Sequence, residues 1–209
     1  MGSGLVELLI RNGYLKSEPI IRAFNEITRA DFVPSEFEEQ AEADVPLPIG
    51  FGQTISQPTT VAIMFELLDP KPGQKVLDIG SGSGWTSALL GNIVSVGGGR
   101  VAAIELLPEL HDMTKCNVEK FGLVSTGIVE CILGDGSLGY EPLQPYDRIL
   151  VSAAADDIPQ ALKQQLIVGG KMVIPVHNHL VYLERRGETD YYREEFAGFV
   201  FVPLVQKSF

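Results

Sequence analysis

Apolar residues recur at helical spacing over Leu5 to Ile10 and again over Ile20 to Ile27, predicting two amphipathic helices near the N-terminus. Ser17 stands where an N-cap belongs for the second helix, and Pro19 falls in its first turn. A polar stretch from Ser35 to Asp44 leads into Val45-Pro46-Leu47-Pro48-Ile49-Gly50. Two prolines and the Gly50/Gly52 pair read there as an ordered loop without regular structure. Helical spacing returns over Val61 to Leu68, with Ser56 or Gln57 as the expected cap and Pro58 in the first turn.

From residue 74 the pattern changes to strand-like runs alternating with helical ones. Lys75 to Ile79, Arg100 to Glu105, Gly127 to Leu133, Asp147 to Ala153 and Lys171 to Val176 read as strands. Trp85 to Val94, Glu109 to Phe121 and Ile158 to Leu166 read as the helices between them. Short strand-helix connections imply a mostly parallel sheet covered on both faces. Leu180 to Arg185 and Arg193 to Leu204 then follow as consecutive strands around Gly187-Glu188-Thr189-Asp190, which predicts an antiparallel hairpin finishing the sheet. The expected fold class is α/β, doubly wound, with an N-terminal helical extension. A chain of 209 residues with 45% hydrophobic content suits one domain, 1–209, with a helical and loop region over 1–70 and the sheet over 71–209.

Charge narrows the partners. A formal net charge of −11 opposes nucleic acid and anionic membranes, because binding to polyphosphates is driven by Lys and Arg releasing counterions. Arg185-Arg186 is the one close basic cluster, and a hairpin turn accounts for it. Cys116 and Cys131 lack metal-ligand spacing and read as small buried hydrophobes. No apolar run reaches the roughly 20 residues of a membrane span, so a cytoplasmic protein without a membrane partner is expected. His111, His177 and His179 have no partner at metal or triad spacing, and no metal is expected.

The chemistry begins at Leu77-Asp78-Ile79-Gly80-Ser81-Gly82-Ser83-Gly84, a glycine-rich turn between the first sheet strand and the next helix. Glycines there let backbone approach a ligand at a helix N-terminus. Trp85 occupies the position where a dinucleotide fingerprint needs a small residue, which disfavours NAD. No Gly-Lys-Ser/Thr follows, which disfavours a triphosphate loop. A nucleoside ligand without phosphates remains. Glu105 ends the next strand about 20 residues beyond Gly84, where an acid can accept both ribose hydroxyls. Gly134-Asp135-Gly136 closes the third strand and offers Asp135 to an adenine amino group, although Gly-Asp-Gly is also an ordinary turn. Asp78 is expected either near the ligand's amino group or capping the N–H groups of the glycine turn.

These residues resemble the class I S-adenosylmethionine methyltransferases over about residues 72 to 176. That resemblance implies a Rossmann-like, seven-stranded sheet ending in the antiparallel hairpin, with S-adenosyl-L-methionine across the strand tips and S-adenosyl-L-homocysteine as product. More specific segments extend the resemblance nearly end to end, chief among them Pro46-Leu47-Pro48-Ile49-Gly50-Phe51-Gly52-Gln53-Thr54-Ile55-Ser56-Gln57-Pro58. Pro145-Tyr146-Asp147, Ala153-Ala154-Ala155, Val173-Ile174-Pro175-Val176 and Phe201-Val202-Pro203-Leu204 support it. Together they resemble the protein-L-isoaspartate O-methyltransferase family. The resemblance implies methyl transfer to the α-carboxylate of L-isoaspartyl residues in peptides and damaged proteins, with the ester later cyclising to a succinimide that reopens partly to aspartate. It also implies a monomer, with Ser56 as the active-site residue. Cofactor contacts would come from Thr54, Ile55, Asp78, Gly80, Ser81, Gly82, Gly84, Glu105, Leu106, Asp135 and Gly136. Substrate contacts would come from Gln53, Thr54, Ser56, Leu204 and Val205. Thr59, Thr60 and Glu42 depart from the family's usual residues.

Without the resemblance, Ser56 has an ordinary explanation as a helix N-cap. A cap does not explain the prolines, glycines and Phe51 just upstream, whereas a ligand-covering loop does. Both roles are compatible. A methyltransferase of the same fold acting on another acceptor would keep Gly80 to Gly84, Glu105 and Asp135, and the Gln53 to Pro58 segment argues against it. A non-catalytic adaptor is the other alternative; the chain's end at Phe209, soon after the last expected strand, argues for the enzyme.

Overall fold

The computed structural model of the chain describes residues 4–205. Helices α1 (Gly4–Arg11) and α2 (Glu18–Glu26) open it, followed by 3-10 turns at Arg29–Phe32 and Ser35–Gln40. Strands β1 (Leu47–Gly50) and β2 (Gln53–Ile55) come next, then α3 (Pro58–Leu68). The main sheet takes β3 (Lys75–Ile79), β4 (Arg100–Glu105), β5 (Val129–Leu133), β6 (Tyr146–Val151), β7 (Leu166–Val176), β8 (His179–Arg185) and β9 (Tyr191–Ala197). Helices α4 (Trp85–Ser95), α5 (Pro108–Glu119) and α6 (Gln160–Gln165) lie between its strands. The order across the sheet is β5-β4-β3-β6-β7-β8-β9, parallel from β5 to β7 and antiparallel from β7 to β9. The α/β class, the mostly parallel seven-stranded sheet and the terminal hairpin are those expected from the sequence.

Alternation along each central strand builds two cores. Val76, Val101, Ala103, Leu150 and Val173 face the layer that holds α1 to α5. Leu77, Ala102, Ile104, Ile149, Val151, Met172 and Ile174 face the opposite layer with α6. Both faces are covered, so the strands are buried at nearly every position. Truncating Leu77, Leu150, Ile104, Ile149, Met172 or Ile174 to Ala costs about 2–5 kcal/mol. The sheet is therefore a stiff platform whose C-terminal strand tips carry the loops described below.

Several local expectations are corrected. The segment around Pro46 and Pro48 is a two-stranded hairpin, with Leu47 opposite Ile55 and Pro48 opposite Thr54. Positive φ at Phe51 (53°) and Gly52 (71°) supplies the two-residue turn. In a two-stranded ribbon each strand keeps an unpaired edge, where proline forfeits no ladder bond. Ser17 does occupy the N-cap of α2, but its hydroxyl donates to Glu66 Oε2 (2.7 Å) on α3 instead of capping its own helix. Cys116 is exposed rather than buried, and Cys131 is half-buried; both are free thiols. The last strand stops at Ala197, not Leu204: Gly198 takes φ 96°, and the N–H groups of Gly198 and Phe199 turn to Asn178 O. Among the described residues no helix is long and apolar enough to cross a membrane.

Candidate active site

One cavity gathers most of the residues singled out above. It is walled by the glycine turn (Gly80–Ser83), the ends of β4 and β5 (Ile104–Leu107, Gly134, Gly136), the β1–β2 hairpin (Ile49, Gln53–Ser56) and the segment Val202–Val205. Among the described residues the wall contains no Lys, Arg or His, and Glu105 is its one charged side chain. Asp78, Gly84 and Asp135, expected at the ligand, are not among the residues that line it.

Strand tips build the first half. Gly80, Gly82 and Gly84 have φ of 75°, 56° and 90°, conformations that side chains rarely adopt. A Cβ at Gly84 would lie 2.9 Å from Val118 Cγ2 and 3.1 Å from Thr114 O, so the third glycine lets α5 pack against the turn. The turn is fastened from three sides. Gly80 and Ser81 N–H donate to Ile104 O, Gly82 N–H donates to Glu105 Oε2 (2.9 Å), and Thr114 and Asn117 of α5 donate to Gly82 O and Ser83 O. Sequence reading missed Thr114 and Asn117, because nothing in a helix marks two polar residues as fasteners of a distant loop. Glu105 Oε1 accepts the N–H groups of Leu106 and Leu107 (2.8 and 3.1 Å). Three of about four acceptor positions are thus taken by backbone, and Glu105 shapes the loop as well as facing the cavity.

Asp78 neither caps the glycine turn nor reaches the wall. It is fully buried, and its Oδ2 accepts the hydroxyls of Thr86 (2.8 Å) and Ser87 (2.6 Å) in the first turns of α4. Its Oδ1 has no partner. Burial pushes its pKa up to about 6, against the two hydroxyl bonds, and nearby Glu105 adds to the rise. Asp135 caps the short turn after β5 through Ser137 N–H (2.9 Å). Gly136 beside it lines the cavity, and a Cβ there would collide with Ile79 Cγ2 at 2.3 Å.

The second half is laid over the sheet. Ser56 is half-buried on the cavity wall immediately after β2. It does not cap α3: the N-cap is Gln57, without a side-chain capping bond. Asp44 serves the helix start instead, accepting Thr59 N–H (2.8 Å), the Thr59 hydroxyl (2.6 Å) and Gln57 Nε2 (3.3 Å). The Ser56 hydroxyl has no protein partner among the described residues. The chain leaving β9 crosses back to this wall, fixed by Ala154 N–H to Val202 O (2.8 Å) and Leu204 N–H to Ala154 O (2.7 Å). Leu204 and Val205 thereby meet Gln53, Thr54 and Ser56 across one cavity, although about 150 residues separate them in sequence.

Buried Arg29 is the other residue the sequence did not disclose. Its guanidinium donates to Ala41 O (2.9 Å), Ala43 O (3.2 Å), Val45 O (2.9 Å) and Ser56 O (3.2 Å), and lies 5.5 Å from the centre of the Trp85 ring. Desolvation lowers its pKa to about 10, with Asp44 opposing the fall, so it stays charged at neutral pH.

The donors and space suit a nucleoside without phosphates. Glycine backbone opens the strand tip, the N-terminus of α4 presents N–H groups suited to a ligand carboxylate, and among the described residues no cation on the wall waits for a phosphate. Comparison with known proteins agrees in kind. The chain matches the family described as protein-L-isoaspartate(D-aspartate) O-methyltransferase over residues 2–209. It is 45% identical over 205 residues to the protein-L-isoaspartate O-methyltransferase of Methanopyrus kandleri, covering 96% of this chain and 89% of that one. With the enzyme of the same name from Staphylothermus marinus it shares 44% identity over 209 residues, covering 96% and 92%. In fold it is similar to a Plasmodium falciparum chain described as a protein-L-isoaspartate O-methyltransferase and solved with S-adenosyl-L-homocysteine, at TM-score 0.85, 22% identity and 97% coverage of each chain.

Proposed function

The chain belongs to the protein-L-isoaspartate(D-aspartate) O-methyltransferase family, and from that premise we propose how its residues divide the work. It is an S-adenosylmethionine-dependent carboxyl O-methyltransferase acting on L-isoaspartyl residues. Its bound cofactor supplies an electrophilic methyl group on a sulfonium. Gly80–Ser83 and the start of α4 would hold the amino-acid end, Glu105 and Leu106 the ribose, and Gly136 the adenine edge, with Asp135 shaping the turn beside it. Thr54 and Ile55 close over the cofactor from the hairpin, and Asp78 sets the first turns of α4 from beneath.

An α-carboxylate is ionised at neutral pH, so the acceptor oxygen needs no general base. One carboxylate oxygen bonds the methyl as the methyl–sulfur bond breaks, leaving the ester and the thioether. The protein's task is alignment and exclusion of water. Ser56 donates its hydroxyl to the second carboxylate oxygen, while Gln53, Thr54, Leu204 and Val205 border the peptide. The observation that carries this reading is the Ser56 hydroxyl, without a protein partner among the described residues, on the same wall as the glycine turn and Glu105. Loss of the donor in Ser56→Ala slows turnover by about 10- to 1000-fold with S-adenosyl-L-homocysteine affinity held within about 3-fold. Full activity of Ser56→Ala removes Ser56 from catalysis.

We further read the protein as a monomer that works in the cytoplasm on peptide segments of damaged proteins, with repair as its task. The −11 charge supports peptides over nucleic acid as partners. Sedimentation at micromolar concentration tests the monomer.

A further inference from the structure

Ser56 sits at the meeting point of two groups that are remote from it in sequence. On one side Arg29, only 4% exposed, spreads its guanidinium over the carbonyls of Ala41, Ala43 and Val45, and reaches Ser56 O at 3.2 Å. On the other side Asp44, carried between those same carbonyls, holds Thr59 through both its N–H and its hydroxyl, and touches Gln57. The peptide from Ser56 to Thr59 is therefore gripped at its carbonyl end by a cation and at its helix end by an anion. Neither grip uses the Ser56 hydroxyl. The guanidinium also faces the Trp85 ring, and Trp85 begins α4 and lines the cavity. One buried charge thus touches the acceptor loop and the wall of the cofactor pocket together.

Burying a guanidinium costs free energy that an apolar residue of similar volume would not incur. Arg29 offsets it with carbonyl bonds, every one of them to the segment before the hairpin or to Ser56 itself. We propose that Arg29 and Asp44 form a two-sided clamp that fixes Ser56 relative to the cofactor wall, so that both are positioning residues for methyl transfer. The proposal rests on Ser56 holding the acceptor carboxylate. Its consequence is specific: loosening the clamp moves Ser56, not the glycine turn. Turnover of peptide falls while cofactor affinity is kept.

A double-mutant cycle on the full chain tests this, with kcat and KM for an isoaspartyl peptide and Kd for S-adenosyl-L-homocysteine as readouts. Arg29→Lys keeps the charge but cannot span four carbonyls, and should lower kcat by roughly 10- to 100-fold, the scale of an ångström-level misplacement. Thr59→Val removes one hydroxyl bond at a half-buried site and should lower kcat by about 2- to 10-fold, with Thr59→Ser restoring it. Cofactor Kd stays within about 3-fold in each. In the Ser56→Ala background both substitutions should lose most of their effect, because residues acting through one group are not additive. Losses that multiply undiminished in that background overturn the clamp, as does a Kd that worsens in step with kcat. Should Arg29→Lys fail to fold, the Thr59 cycle decides alone, and unchanged kcat in Thr59→Val then counts against the proposal. Full activity of Ser56→Ala defeats the Ser56 reading instead, and is seen before any clamp variant is made.

Discussion

The two walls of the cavity are built on different principles. The cofactor wall grows from buried parallel strands: its turn is fastened by backbone bonds to Ile104, by Glu105 and by two α5 side chains, all close behind a dry core. The acceptor wall is a short hairpin with an exposed Phe51 at its tip and a returning tail whose Val205 is 58% exposed. Backbone bonds to Ala154 hold the tail, Arg29 and Asp44 hold the chain around Ser56, and the hairpin roots Leu47, Ile49 and Ile55 in the core on the helical side. The contrast teaches that the cofactor half grows directly out of the sheet, whereas the acceptor half is laid over it by three buried hairpin side chains and a few polar clasps.

Damage to the two walls should therefore read out differently. The largest effect belongs to Gly84→Ala, which forces a side chain into φ 90° and against Val118 and Thr114. Strain and overpacking together should cost about 2–5 kcal/mol. A drop in Tm of roughly 5–15 °C with severe loss of S-adenosyl-L-homocysteine binding is expected, checked by calorimetry; near-normal Tm would show the turn to be softer than described.

Next comes Asp78, whose pKa in the fold, about 6, stands above its ordinary 3.8. A raised carboxyl contributes its stability below the unfolded value and loses it as pH rises through about 6. Urea unfolding of the wild type between pH 4 and 7 should thus carry a decline on the order of 2–3 kcal/mol that Asp78→Asn lacks. Parallel profiles for the two proteins would deny Asp78 its burial cost.

The smallest effect is expected on the soft wall. Val205→Asp sets a negative charge beside the incoming carboxylate, worth about 1 kcal/mol near a surface. Peptide KM should rise about 5-fold and cofactor Kd should not move. Equal changes in both would mean that the walls are not separable.

The same contrast explains what the sequence disclosed. The sheet, its order of strand and helix, and the glycine turn followed from periodicity and local chemistry, because a buried parallel strand and a tight turn are specified by their own residues. Ser56, Gln53 and Thr54 were found through resemblance, and the sheet's tail by its break in rhythm. Capping rules located the starts of α2 and α3 but named the wrong acceptors: Glu66 bonds Ser17, and Asp44 bonds Thr59. Prolines suggested irregular chain where a ribbon forms, since an unpaired edge tolerates them. Arg29 left no trace, for its acceptors are carbonyls, which every residue has. Interactions between residues far apart in sequence carry no local signature, and the acceptor wall depends on several of them, the bonds of Ala154 to the tail and of Arg29 to Ser56 among them.

The central claim is that this cavity methylates a misplaced carboxylate. Two peptides identical except for an isoaspartyl or an aspartyl linkage, incubated with the protein and methyl-labelled S-adenosylmethionine, test it most directly. The isoaspartyl peptide should take up base-labile label while the aspartyl peptide stays at background. Equal labelling of both peptides, or of neither, would contradict the account.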